Sequence, residues 1–159
     1  ENRLFNGSFE QEPTGAALDW RVRRTEGVAV QREAGAGRNG TSALRIDFLG
    51  ESNVPFDHVE QLAVVEPGPW RLRAWVKTQE LTTDQGLRFR IAGAQAPSRL
   101  EIITENLTGS RGWTQVEVKF AVPPQTRLLT VQVVRQPSIK FDNKIRGAAW
   151  IDDVALVPP

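Results

Sequence analysis

Apolar residues recur at every second position along most of this chain, in short runs cut by glycine and proline. Leu44, Ile46 and Phe48 alternate with Arg45 and Asp47. Trp70, Leu72, Ala74 and Val76 oppose Arg71, Arg73, Trp75 and Lys77. Leu87, Phe89 and Ile91 alternate with Arg88 and Arg90. Val116, Val118, Phe120 and Val122 are set against Gln115, Glu117 and Lys119; Leu129, Val131 and Val133 alternate with Thr130 and Gln132. A period of two places neighbouring side chains on opposite faces of a strand. No segment sustains a helical stripe. Shorter strand candidates are Leu4–Glu10 around an Asn6-Gly7 turn, Trp20–Arg23, Val28–Val30 and Leu100–Thr104. His58–Val65 is apolar on both faces, which leaves its register open. Glu66-Pro67-Gly68-Pro69, the glycine-rich Ala34–Thr41 and Pro123-Pro124 separate the strands. Short strands so spaced, without repeat or linker, predict one domain over residues 1–159. Its expected fold is all-β, a two-sheet antiparallel β-sandwich of jelly-roll form.

The final candidate strand, Ala148–Val157, changes this picture. It is mostly apolar, so it belongs in the middle of a sheet, yet Asp152 and Asp153 stand side by side within it. By strict alternation, if Val154 and Leu156 face the core, Asp152 faces inward with them and Asp153 faces solvent. A one-residue slip exchanges the two. A buried carboxylate requires a cation, a metal or strong donors.

Composition narrows the partners. The 159 residues carry a formal net charge of +1, which gives no general case for nucleic acid or for an anionic membrane. Arg outnumbers Lys 16 to 4, a bias toward planar, bidentate or stacked contacts. There is no Cys, which excludes thiolate catalysis and disulfides but leaves the compartment open. There is no Met, even at position 1, so the chain is expected to be a processed product or a part of a longer polypeptide. No apolar run approaches a membrane span, so direct membrane insertion is not expected. His58 is the single His, and no Gly-x-Ser-x-Gly elbow accompanies it, so no enzyme is expected. Asn6-Gly7-Ser8, Asn39-Gly40-Thr41 and Asn106-Leu107-Thr108 match the glycosylation sequon, the first two being better explained by turns.

Several local patterns follow one another in a telling order. They are Leu4-Phe5-Asn6-Gly7-Ser8-Phe9-Glu10, Trp20, Gly40-Thr41-Ser42-Ala43-Leu44-Arg45-Ile46, and Gln61 to Trp70 leading into Ala74-Trp75-Val76-Lys77. Gly112-Trp113-Thr114, Phe120-Ala121-Val122-Pro123 and Trp150-Ile151-Asp152-Asp153-Val154-Ala155-Leu156 complete the series. Together they resemble the carbohydrate-binding modules of families 4, 9 and 22, galactose-binding-like jelly rolls. The resemblance implies a non-catalytic, extracytoplasmic or cell-surface module, appended to a larger protein. It also implies a structural calcium where the first and last strands meet. Carried over, the ligands are Glu10 and Asp152, with carbonyls from the Arg38–Gly40 turn. The alternative is that these carboxylates pair with an Arg or accept backbone N–H bonds. Trp20, Trp70 and Trp113 match structural aromatics, and Trp150 is assigned to the core beside Asp152.

A jelly roll pairs His58–Val65, Leu87–Ile91 and Leu129–Val133 in one sheet and places Trp70–Lys77 in the other. With Ala63 and Val65 inward, His58, Glu60 and Leu62 share a concave surface with Arg88, Arg90, Thr130 and Gln132. The candidate ligand-binding residues are therefore His58, Glu60, Arg88, Arg90 and Gln132, with Trp75 as either a platform or a residue covered by a loop. The expected ligand is a poly- or oligosaccharide, and the arginines would suit an acidic one. The competing expectation is a structural or protein-interaction appendage of the same fold that no longer binds sugar.

Overall fold

The computed structural model describes residues 1–159. It contains ten strands: β1 (Arg21–Val22), β2 (Val28–Ala34), β3 (Ser42–Leu49), β4 (Phe56–Val64), β5 (Gly68–Leu81), β6 (Arg88–Gly93), β7 (Glu101–Ile103), β8 (Gly109–Val122), β9 (Leu128–Arg135) and β10 (Arg146–Val157). One turn of 3₁₀ helix covers Pro97–Arg99, and no helix is long and apolar enough to cross a membrane. The strands form two five-stranded sheets, β1-β4-β9-β6-β7 and β2-β3-β10-β5-β8, with antiparallel pairing throughout. This is the expected β-sandwich jelly roll. β10 lies at the centre of its sheet, between β3 and β5.

The alternating residues meet between the sheets in one cluster of 32 buried side chains. Leu44, Ile46, Leu72, Ile91, Leu129 and Val131 are among the most deeply placed. Each large apolar side chain so buried contributes about 1.5–3 kcal/mol relative to exposure. Trp20 is fully buried and stacks on Phe9 at 5.2 Å between centroids. Its indole N–H donates to the Asn6 carbonyl at 3.0 Å, docking the amino-terminal segment on the core.

Three sequence expectations are corrected. Residues 4–8 are turns, not a strand. Asn6 and Phe9 adopt φ of 52° and 56°, and this left-handed backbone breaks an extended run. Gly7 is required there, because a Cβ would lie 2.1 Å from the Val154 carbonyl oxygen. The second correction concerns β10. Its pairing with β5 is regular up to Asp152↔Trp75 and resumes at Ala155↔Arg73, with a bulge between. Asp153 sits in it with φ of 49°. The bulge shifts the alternation by one. Ala149 and Ile151 face the core before it, and Val154 and Leu156 face the core after it. Asp152 therefore shares the outer face with Trp150 and with Trp75, its cross-strand partner. It is 1% exposed, with the Gly37–Thr41 turn reaching it through the Arg38 N–H.

Trp150 likewise belongs to a small outer cluster with Ala43 and Ala148, flanked by Ala36 and Trp113, and not to the core between the sheets. The Arg45 guanidinium and the Lys77 ammonium lie 5.1 and 4.9 Å from its ring centroid. Its N–H donates to Glu33 at 3.0 Å. This bond, and the nearby Arg45 and Lys77 charges, hold the Glu33 carboxyl below the usual range despite some desolvation.

Candidate functional site

The outer face of the β1-β4-β9-β6-β7 sheet is built by register. Arg21↔Glu60, Glu60↔Gln132, Gln132↔Arg90 and Arg90↔Ile103 lie in one row across five strands. Residues directly opposite each other point to the same side. Their polar ends connect in sequence. Gln132 Nε2 donates to Glu60 at 3.3 Å, Arg90 Nη1 donates to Gln132 Oε1 at 3.0 Å, and Arg90 Nε donates to Glu101 at 2.7 Å. Glu60 is also 3.7 Å from Arg23, which itself bonds Asp57 at 3.2 Å. Glu60 and Arg90 thus each have an opposite charge within the chain, and Arg21 has none.

Arg88 stands one row away, opposite Val134. It reaches only the Thr104 carbonyl at 3.3 Å and the Gln85 side chain at 3.4 Å, and its Nε is buried without a partner. Like Arg21, it has no carboxylate partner on this face. His58 packs on Phe56 at 5.3 Å, with its Nδ1 accepting the Asp57 N–H at 3.1 Å. The structure thus brings Glu60, Arg88, Arg90 and Gln132 onto one surface, while His58 falls in a bulge of β4 between Phe56 and Val59. Trp75 lies on the opposite sheet, with the Arg38 guanidinium 4.2 Å from its ring centroid.

Sequence reasoning missed an apolar ledge at the other end of this face. Phe5 is 51% exposed, Leu18 52% and Val64 53%. With Leu62 and Arg3 they line a depression of about 590 Å³. Gln61, which is 1% exposed, holds Phe5 in place. It accepts the Phe5 N–H at 2.7 Å and donates to the Phe5 carbonyl at 2.9 Å, so a side-chain amide extends the sheet edge as a strand would. The available signal was Gln61 on the inward side of β4, a polar group that had to be satisfied. Beside the ledge, Arg3 bonds both oxygens of Glu66 at 2.8 Å.

The two predicted metal ligands meet on the other sheet. The Asp152 Oδ2 accepts the Arg38 N–H at 2.9 Å and Oδ1 accepts the Asp153 N–H at 2.8 Å. Glu10 Oε2 accepts the Ser42 N–H at 3.2 Å. The Arg38–Gly40 turn therefore presents an amide to Asp152. Neither carboxylate has a salt bridge, and Arg38 pairs instead with Asp153 at 3.1 Å. Burial pushes Asp152 above the usual carboxylate range; the two N–H donors oppose this, and the Asp153 and Glu10 charges add to it. A carboxylate raised chiefly by burial, with Asp153 and Glu10 adding to the shift, fits a cation, and calcium takes oxygen ligands of this kind. No set of three or more acidic, His or Cys side chains gathers there, and the groups that meet the two carboxylates are backbone N–H donors, the alternative that the sequence left open.

No protein-family model matches the chain, and no curated protein matches it by sequence. Solved structures match its fold over its whole length. A putative sugar-binding protein from Bacteroides thetaiotaomicron superposes with a TM-score of 0.70 at 16% identity, covering 100% of both chains. TmCBM61, solved with β-1,4-galactotriose, gives 0.66 at 17% identity, covering 100% of this chain and 99% of that one. A structure described as a family 16 carbohydrate-binding module gives 0.64 at 19% identity, covering 98% and 99%. The two packed sheets, with β10 at the centre of one, are those of a carbohydrate-binding-module β-sandwich.

Proposed function

We propose that the protein is a non-catalytic glycan-binding module, and that it holds an oligosaccharide along the outer face of the β1-β4-β9-β6-β7 sheet. The observation that carries this reading is the polar row Glu60–Gln132–Arg90–Glu101 beside the ledge of Phe5, Leu18, Leu62 and Val64. A sugar has hydroxyls that need planar hydrogen-bonding groups and a C–H face that needs an apolar or aromatic surface. The row supplies the first and the ledge the second. The fold neighbours support the reading, since TmCBM61 was solved with a galactotriose. Because Arg90 and Glu60 are neutralised within the chain, neutral sugar units suit the row, and an acidic unit would sit at Arg88.

Affinity electrophoresis or a glycan array with β-1,4-galactan, xylan and their oligosaccharides tests this. Wild-type protein should bind at least one glycan, and Phe5→Ala and Gln132→Ala should each weaken it about tenfold or more. Retention of affinity in both variants, or no binding anywhere on the array, would overturn the proposal. The second outcome would favour an interaction or structural appendage, a reading supported by the internal pairing of the charges in the row. Calcium at Glu10 and Asp152, extracytoplasmic placement and attachment to a larger protein belong to the same proposal. In a metal-bound form the cation would neutralise Asp152 and join the amino-terminal segment to β10.

A further inference from the structure

The outer face of the other sheet carries a second cleft, of about 420 Å³, between β5, β8, the β10 bulge and the amino-terminal turns. Arg73 stands in its wall. Glu117 is directly opposite on β8, but it turns to Arg71 at 3.6 Å. Arg73 has no carboxylate partner, and its Nε is buried with nothing to donate to. That Nε is closed off from solvent, so a ligand in the cleft would meet the other guanidinium N–H groups. The remaining lining brings further donors. Gln115 lies opposite Trp75 and is exposed. Arg38 uses its Nε on Asp153, and the Ser8 hydroxyl lines the same cleft. Two arginines thus face one carboxylate, so the cleft is one positive charge in excess.

We propose that this cleft is a second ligand site, separate from the β1-β4-β9-β6-β7 face, and that it takes a carboxylate-bearing sugar such as a uronic acid. The Arg73 fork matches a carboxylate in shape and charge. The amide of Gln115 and the hydroxyl of Ser8 both donate and accept, as sugar hydroxyls require. A neutral sugar would leave Arg73 unanswered, and a plain aliphatic acid would leave Gln115 and Ser8 unused. The volume lies within the range of small-molecule sites, about 300–1,000 Å³.

The test is titration of the full chain with D-galacturonate, D-galactose and acetate, followed by calorimetry and by the ¹H–¹⁵N signals of the Trp75 indole and the Gln115 amide. Galacturonate should bind and move both signals, with galactose and acetate roughly tenfold weaker or more. Arg73→Gln and Gln115→Ala should each lose galacturonate affinity, the first by about tenfold or more. Gln115 is exposed, so its variant keeps the test valid if Arg73→Gln misfolds. The proposal is overturned if galacturonate leaves both signals unmoved, if both variants bind like wild type, or if acetate or galactose binds equally well. Oligosaccharide binding that depends on Phe5 and Gln132 reports the other face, so either site can fail without the other.

Discussion

At the scale of single residues, Asp152 makes a testable difference between metal-free and metal-bound protein. Its carboxyl is held above the usual range by burial, so the folded chain binds that proton more tightly than the unfolded chain does. In chelator, its contribution is fully present below the unfolded carboxylate value and is lost as pH rises through the raised one. As pH falls from neutral toward the unfolded carboxylate value, the wild-type Tm should therefore rise relative to that of Asp152→Asn. With calcium present the proton and the cation compete, and the relative slope should reverse. Parallel curves for the two proteins in chelator would contradict this. Much at this scale was legible in the sequence. Adjacent Asp residues in an apolar strand announced a buried carboxylate. Glu60, Arg88, Arg90 and Gln132 were assignable to one face, because alternation fixes faces without coordinates, whereas His58 falls at a β4 bulge that alternation does not foresee. Phe5 was not. Its exposure depends on Gln61 reaching 56 positions back along the chain, a tertiary contact with no periodicity.

At the scale of elements, the strands followed from alternation and the loops did not. Arg135, at the end of β9, shows why. It is 2% exposed, and burial lowers its pKa from the ordinary value, with Asp84 opposing. Its guanidinium donates to the Gln85 carbonyl at 3.0 Å, Asn53 Oδ1 at 2.8 Å, the Val54 carbonyl at 3.0 Å, Thr83 Oγ1 at 3.1 Å and the Asn143 carbonyl at 3.4 Å. One side chain thus ties the entry to β4, the β5–β6 connection and the β9–β10 connection together. In the sequence it is one Arg among sixteen. Arg135→Met keeps an apolar stem but strands these acceptors, and should cost about 3 kcal/mol or more. Urea unfolding should show this as a lower midpoint with the slope unchanged. The same connection carries Ile139 and Phe141, 101% and 102% exposed, and anchors them through Ser138 on Asn53 and Asp84. Asn106, a sequon match, is likewise occupied, accepting the Gly86 N–H and donating to the Asp84 carbonyl, each at 2.8 Å.

At the scale of the whole molecule, the sandwich brings the chain's two ends together. Asn2 donates to the Val154 carbonyl at 3.1 Å and accepts the Leu156 N–H at 2.8 Å, and the Arg3 N–H donates to the Leu156 carbonyl at 2.8 Å. A cation shared by Glu10 and Asp152 would add to this closure and stabilise the entire fold. Calcium at about a hundred times its Kd should raise the Tm of chelator-treated protein by about 5–10 °C. Glycan affinity on the opposite sheet should stay unchanged. An unaltered Tm would count against the cation. The central place of the final strand was readable from its apolar content, because a strand buried on both faces belongs inside a sheet.

The β10 bulge was not readable, because alternation assumes one residue per step, and it has a consequence for chain length. Ile151 and Val154 are three positions apart, yet both face the core. A gap of one residue at Asp153 leaves the inward set Ala149, Ile151, Val154 and Leu156 in phase, as a plain strand. A gap of one residue at Ile151 also keeps Ala149, Val154 and Leu156 in phase, but it turns Asp152 inward in place of Ile151. Relatives of this chain can therefore differ in length by one residue at the bulge and keep the same core. Those without the extra residue would lack the twinned carboxylates, and with them the anchor for Arg38 over Trp75.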